Sequence, residues 1–355
     1  MARRQVVSSV SGNQSGENRK HVTIRDVAKA SYTSISTVSL ALSGRAGVAP
    51  ETRANILAVA DRLGWRPDRH ASSLRRQNSR LVGLVCQVEQ VFQMGLVDSL
   101  YVAARSRGLE LVLAGATRHH DEHTCVDELV RERCQAMILT GSDLTEEQMS
   151  EVGQRLPTVS LGRLVQAPRV NVVVSDDRMG LGQAIDHLVS LGHHRIVHVD
   201  GGPAYPLGRS RADAYASAMA DTGLADHVRI ISGGSTLEHG VDAARQLLAT
   251  RPLPTAVVCF NDMVAAALTR ELERNGVGVP QDVSVVGFDD CSVAADPSTP
   301  LTTIAQDPQL LAEATLDLLD AALSDADTPD TATETAVVIP TRLHVRSTTG
   351  AVVHD

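Results

Sequence analysis

At 355 residues the chain has room for two or three domains, and its 43% hydrophobic content is that of a globular protein. No apolar run is long enough for a membrane span, and no apolar stretch follows Arg3 and Arg4, which argues against a membrane segment and a secretory leader. The formal charge of −9 hides an imbalance: residues 1–80 hold 14 basic and 5 acidic side chains (+9), against 33 and 42 in the whole chain, leaving −18 for residues 81–355. A basic head on an acidic body points to a polyanionic partner for the head alone.

Residues 1–20 are polar, rich in Ser, Gly and Asn, and without periodicity, as in a disordered tail. A three-helix unit is expected over 21–66. Ile24, Val27 and Ala28 share one face of a first helix, and Val38, Ala41 and Leu42 repeat the spacing in a second. Ile56, Leu57, Ala60 and Leu63 do so in a third. Thr23 and Asp26 form a capping-box pattern, and Thr33 or Ser34 caps the second helix. Three short helices with a tight turn between the first two describe a helix-turn-helix unit. Pro67 then breaks the pattern, and residues 67–78 form a polar linker.

From Leu81 the pattern changes to strands alternating with helices. LVGLVC, LELVLAGA, AMILTG, PTVSLG and Asn171–Val174 are strands, with helices expected at Leu96–Arg107, Glu122–Arg133 and Thr145–Gln154. RIVHVDGG, VRIISGG, TAVVCF and VSVVGFDD come next, with helices at Gly180–Leu191, Arg211–Thr222, Leu237–Leu248 and Asp262–Asn275. Such alternation implies parallel sheets with helices on both faces, and about ten strands imply two sheets. The five cysteines, Cys86, Cys125, Cys134, Cys259 and Cys291, form no CxxC pair and fall mostly in apolar runs, as reduced core thiols of a cytoplasmic protein do.

These stretches together resemble the LacI/GalR family of bacterial transcription regulators, over about residues 22–347. The head carries VTIRDVAKAS, STVSLALSG and VAPETRANILAVADRLGWRPDRHASSLR; the body carries HLVSLGHHRI, FNDMVAAA, DVSVVGFDD and PLTTIAQD; PTRLHVRSTTG closes the chain. The resemblance implies an α/β protein: an all-α helix-turn-helix head, a hinge helix, and a two-lobed periplasmic-binding-protein-like core of two doubly wound parallel sheets. The first lobe is expected at about 79–175 and 306–334, the second at about 176–305 and 335–347.

By that resemblance Ile35, Ser36 and Leu40 occupy base-reading positions, and Ser34, Thr37 and Ser39 phosphate-binding ones; Thr23 is counted with them. The family's usual turn glycine is Tyr32 here, and its frequent arginine is Leu40. Ile35 and Leu40 either pack on thymine methyl groups or help close the head's own core. In the linker, Leu74 matches a leucine that wedges into the minor groove, Ala71 lets two hinges approach, and Arg69 and Arg75 meet phosphates. The bland alternative is a plain polar linker.

The cleft residues implied by the family are Phe92, Arg163, Asp176 and Arg211, with Asn261, Asp289 and Gln306. Asp289 and Asn261 also follow strands directly, where ligands of doubly wound domains bind. Asp262, beside them, is read as the cap of the next helix. Gln87 and Gln90 replace polar residues usual in the first-strand loop. A sugar or related polyol is the expected effector. His119, His120 and His123 lie too close along one loop to form a metal shell, Gly201-Gly202 completes no phosphate loop, and no nucleophile motif occurs. No cofactor, metal or catalytic group is therefore implied. The sum is a homodimeric, effector-controlled repressor on a pseudo-palindromic DNA operator, the chain end TTGAVVHD favouring a dimer over a tetramer. A cytosolic sugar-binding protein or an activator is the alternative.

Overall fold

The computed structural model describes residues 22–44, 46–65, 80–202, 206–324 and 335–352. The expected tail (1–20) and hinge (67–78) lie outside them. The chain divides into two compact units, residues 1–77 and 78–355.

The first unit holds α1 (Ile24–Ala30), α2 (Ile35–Leu42) and α3 (Pro50–Arg62). Thr23 and Asp26 close the capping box at α1, with Asp26 accepting from the Thr23 amide at 2.8 Å and from its hydroxyl at 2.7 Å. Ser34, rather than Thr33, caps α2, accepting from the Thr37 amide. Between them the chain turns through Tyr32 at φ 54°, the left-handed conformation expected where the family carries glycine. Val27, Ala28, Val38, Ala41, Ile56, Val59 and Ala60 form the core. Leu57, placed on the buried face by its sequence spacing, is 48% exposed. Helical geometry explains the correction: Ile56, Val59, Ala60 and Leu63 follow the i, i+3, i+4, i+7 stripe, and Leu57 lies off it.

The second unit contains two six-stranded sheets. The first is built from β1 (Leu81–Gln87), β2 (Glu110–Ala116), β3 (Ala136–Thr140), β4 (Thr158–Leu161), β5 (Val170–Ser175) and β11 (Ala336–Ile339). Its order is β11-β5-β4-β3-β1-β2, all parallel. Alternation along β3 shows how it is covered. Ala136 and Ile138 face the cluster made with α4 (Val91–Ser106) and α11 (Pro308–Ser324). Met137 and Leu139 face α5 (Glu122–Arg131) and α6 (Glu146–Arg155).

The second sheet takes β6 (Ile196–Val199), β7 (Ile230–Ile231), β8 (Ala256–Cys259), β9 (Ser284–Asp289), β10 (Thr302–Ala305) and β12 (Arg342–His344). Its order is β12-β10-β9-β8-β6-β7, with only β12 antiparallel. Val258 faces α7 (Asp177–Ser190) and α8 (Pro206–Asp221), while Val257 faces α9 (Leu237–Leu248) and α10 (Asp262–Arg274).

Two departures concern the C-terminal region. Residues 336–339, which the sequence places in the second lobe, pair with β5 in the first sheet. The chain changes lobe after Ile339, through Pro340 and Thr341, rather than near 335. Helix α11 has no counterpart among the helices expected from sequence, yet Leu311, Ala312, Leu316 and Leu319 on it are buried in the first lobe. Helices α4 and α8 also begin earlier than their sequence patterns, at Val91 and Pro206.

The chain therefore crosses between lobes three times: β5 to α7, β10 to α11, and β11 to β12. The crossings are tied together. The Asp176 amide donates to the Ile339 carbonyl at 2.8 Å, and the Thr341 hydroxyl donates to the Asp176 carbonyl at 2.8 Å. Gly180 allows this closeness, because a Cβ there would collide with the Ile304 and Thr341 side chains.

Candidate functional site

Two surfaces carry the candidate residues. In the first unit, α2 presents Ile35, 43% exposed, with Ser36 exposed and Ser39 and Leu40 half-buried. Ile35 is thus not a core residue of the head. Ser34 and Thr37 are tied locally, the Ser34 hydroxyl lying 2.7 Å from that of Ser36 and 2.8 Å from that of Thr37. Thr23 spends its hydroxyl on Asp26. Arg69, Ala71, Leu74 and Arg75 lie outside the described residues.

In the second unit a cavity of about 370 Å³ opens at the C-terminal ends of the strands, where doubly wound sheets bind ligands. Five of the seven residues expected there line it: Phe92, Asp176, Arg211, Asp289 and Gln306. Arg163 and Asn261 do not. Arg163 donates to the carbonyls of Ser142 at 2.8 Å and Leu144 at 2.5 Å, so its guanidinium holds the loop after β3. Asn261 accepts from the Val264 amide and donates to the Ser235 carbonyl, which makes it, not Asp262, the cap of α10. Asp262 is a fully buried tie that accepts from the Cys291 amide at 2.9 Å and the Thr303 hydroxyl at 2.5 Å.

Arg211 is the centre of the site. It is 3% exposed, and one nitrogen donates to the Phe260 carbonyl at 2.6 Å. Its guanidinium carbon lies 3.5 Å from the Phe288 ring centre and 4.8 Å from that of Phe260. Such stacking orients a buried cation and compensates part of its lost hydration. Asp177 and Asp289 flank it at 3.6 and 3.7 Å, beyond hydrogen-bond reach, and Nε has no acceptor among the described residues. A hydroxyl inserted there can accept from the guanidinium and donate to a carboxylate.

Burial pushes the Asp177, Asp289 and Asp262 carboxyls up, against the pull of Arg211 on Asp177 and Asp289. Asp289 also accepts from the Gln306 side-chain amide at 2.7 Å, and Gln306 accepts from the Ser175 hydroxyl at 2.5 Å. A hydrogen-bonded chain thus joins β5, the β10–α11 crossing and β9. Asp289 and Asp290 both adopt positive φ, 110° and 54°, and this turn aims neighbouring acids in different directions. Asp290 holds Arg346 at 2.6 Å and His344 at 2.7 Å.

Sequence reading misses Asp177, Phe260 and Phe288. A signal is present: the chain has three phenylalanines, and Phe92, Phe260 and Phe288 all sit in or directly beneath this cleft. Gln90 lines the cavity, whereas Gln87 does not. Of the three histidines expected in one loop, His120 faces Glu128 at 3.2 Å, and His123, which lies in the first turn of α5, faces Asp127 at 3.8 Å. Among the described residues no helix is long and apolar enough to cross a membrane.

Family models match stretches of both units. Residues 23–68 match the family described as bacterial regulatory proteins, lacI family, and residues 185–349 a periplasmic binding protein-like domain. The HTH-type transcriptional regulator GalS of Salmonella typhimurium is 31% identical over 288 residues, covering 80% of this chain and 84% of its own. The Lac repressor dimer bound to operator and the anti-inducer ONPF superposes with a TM-score of 0.81 at 26% identity, over 94% of this chain and all of that one. The regulator CelR in complex with cellobiose superposes with a TM-score of 0.66 at 28% identity, over 92% and 99% of the two chains.

Proposed function

The chain belongs to the lacI family of bacterial regulatory proteins and is a DNA-binding transcriptional regulator; from that premise we propose that it represses a carbohydrate-utilisation operon under the control of a sugar or related polyol bound between its lobes. The observation that carries the effector class is Arg211, held on phenylalanine rings between two carboxylates at ion-pair distance, 3.6 and 3.7 Å, but beyond direct hydrogen bonding. Adjacent hydroxyls satisfy such a trio at once. Four carboxylates line the cavity against two guanidiniums, and Arg178 is 72% exposed and turned to Asp221. That balance disfavours a phosphorylated or carboxylated effector. The cellobiose complex of CelR supports the same class.

In this proposal two protomers bind the halves of a pseudo-palindromic operator. Ser34, Ser36, Thr37 and Ser39 face the DNA, and the hinges of residues 67–78 meet at its centre. Arg69 and Arg75 contact phosphates there, Ala71 permits close approach, and Leu74 wedges into the minor groove. Ligand changes the angle between lobes, and so the spacing of the hinges.

A thermal-shift screen of neutral sugars, sugar phosphates and purines tests the effector class. A neutral sugar should raise Tm, by about 2.7 kcal/mol of stabilisation at a hundredfold excess over Kd, and should alter operator affinity. Stabilisation by a purine or a sugar phosphate alone refutes the proposal. Leu74→Ala should weaken specific operator binding far more than non-specific binding; equal losses in both remove the wedge.

A further inference from the structure

Helix α2 reads ISTVSLAL. It has no arginine, lysine, asparagine or glutamine, the side chains that form bidentate hydrogen bonds with guanine or adenine in the major groove. The hydroxyls at its start are engaged with one another, Ser34 with Ser36 and Thr37. The remaining chemistry at that end is apolar. Ile35 is 43% exposed, and Tyr32, in the turn immediately before the helix, is 96% exposed.

Tyr32 is the more telling residue. Its φ of 54° is a conformation that glycine adopts freely and a bulky side chain adopts with strain. The ring contributes nothing to the head's core at that exposure. An aromatic side chain is therefore held at some cost, in water, beside the end of the helix that meets base edges in helix-turn-helix proteins. The unit around it, residues 1–77, holds 13 basic and 5 acidic side chains, a formal charge of +8 that suits a polyanionic partner.

We propose that Tyr32, Ile35 and Leu40 form an apolar reading surface that recognises thymine methyl groups in the major groove. Each operator half-site then presents A·T pairs where an arginine-bearing helix would demand G·C. This rests on the DNA-binding activity of the family and on α2 entering the major groove. Thymine is the one base whose major-groove edge carries a methyl group, so it is the base that an exposed isoleucine and a half-buried leucine discriminate. Tyr32 extends that surface on the turn side, where its backbone amide donates to the Lys29 carbonyl.

The test uses the full-length chain and a pool of randomised duplexes, from which binding sequences are enriched and their affinities measured by anisotropy at one fixed salt concentration. The enriched half-site should carry thymines at the positions facing α2. Replacing those thymines by deoxyuridine removes only the methyl group and should weaken binding by about three- to fivefold per methyl. Replacing such a T·A pair by 5-methylcytosine·guanine keeps the methyl and should cost less than the same change with unmethylated cytosine. Ile35→Ala should abolish the thymine–uracil difference at one position. Tyr32→Gly should weaken operator binding while leaving Tm unchanged or higher, since glycine suits that φ.

Guanines enriched at these positions, or equal affinity for thymine and uracil, overturn the proposal. So does an Ile35→Ala chain that melts earlier but discriminates as before, because Ile35 would then be packing the head. A pool in which nothing is enriched removes the DNA-binding premise itself, and the apolar reading surface with it.

Discussion

The two walls of the cleft divide the chemistry unequally. The first lobe contributes Gln90, Phe92, Gln93, Leu161 and Leu164, none of them charged. The second contributes Asp176, Asp177, Arg178, Arg211, Asp213 and Asp289, every ionisable group in the lining. A ligand between them meets a hydrogen-bonding, charged wall on one side and an amide-bearing, apolar wall on the other. A sugar ring, with a hydroxyl edge and a C–H face, fits that asymmetry in one orientation. The charged wall should then set recognition and pH response, and the apolar wall should set affinity alone.

Arg211→Met should break this division most severely. It leaves Asp177 and Asp289 buried beside each other without their cation, at about 3 kcal/mol of destabilisation. Thermal melting should show the loss, and no sugar should restore it. Asp289→Asn should act in the opposite direction on stability while lowering effector affinity about ten- to a hundredfold. Asp289 is raised by burial to about 7, so the folded protein takes up this proton before the unfolded one does. Wild-type stability from this group is therefore highest at low pH and is lost as pH rises from about 4 to about 7. Asparagine does not ionise, so the variant's Tm advantage should grow across that window and level off above it. His198 tilts the other way: burial lowers it to about 4, and stability falls as pH drops below its unfolded value. It is common to both chains and cancels in the difference. A constant difference between pH 4 and 8 would show that Asp289 is not the titrating group.

Phe92→Ala on the opposite wall should lower effector affinity by about tenfold with little pH dependence. Phe92 is only half-buried, and its loss should cost the fold about 1 kcal/mol. A pH-dependent loss would mean that the walls are not chemically separate.

The asymmetry between walls also governs what is legible in the sequence. Arg211 and Asp289 are visible there for different reasons. Asp289 ends a short apolar strand, and residues at such ends in a doubly wound sheet face ligand; Arg211 is visible through the family pattern alone. Asn261 occupies a strand end too but spends both ends of its amide on backbone, a choice between cap and ligand that one-dimensional spacing does not resolve. Arg163 turns to two carbonyls, a local choice of the same kind. The helix Pro308–Ser324 escapes the sequence reading despite its leucines, because it returns to the first lobe after a long excursion, and its core partners are remote in sequence. Strand Ala336–Ile339 is assigned to the wrong lobe because it is short and pairs across more than 160 residues. In the head, where contacts are local, caps and stripes are readable almost residue by residue, with Leu57 the exception.

The smallest expected effect bears on how the two walls communicate. Gln306 accepts from Ser175 at the end of the first lobe's β5 and donates to Asp289 at the end of the second lobe's β9. It stands on one crossing while Asp176 and Thr341 tie the other two. Gln306→Leu keeps much of the side-chain volume but cannot relay a hydrogen bond, so Asp289 is freed from the first lobe without losing Arg211. Effector affinity should change by no more than about fivefold. The mutual effect of effector and operator on each other's affinity should shrink by about 1 kcal/mol out of the roughly 1–3 typical of such coupling. Measuring effector Kd with and without operator, and operator Kd with and without effector, gives that quantity twice, and the two values must agree. Lower affinity with coupling intact would make Gln306 one more contact on the charged wall; lost coupling with affinity intact would make it the link through which the cleft acts on the crossings.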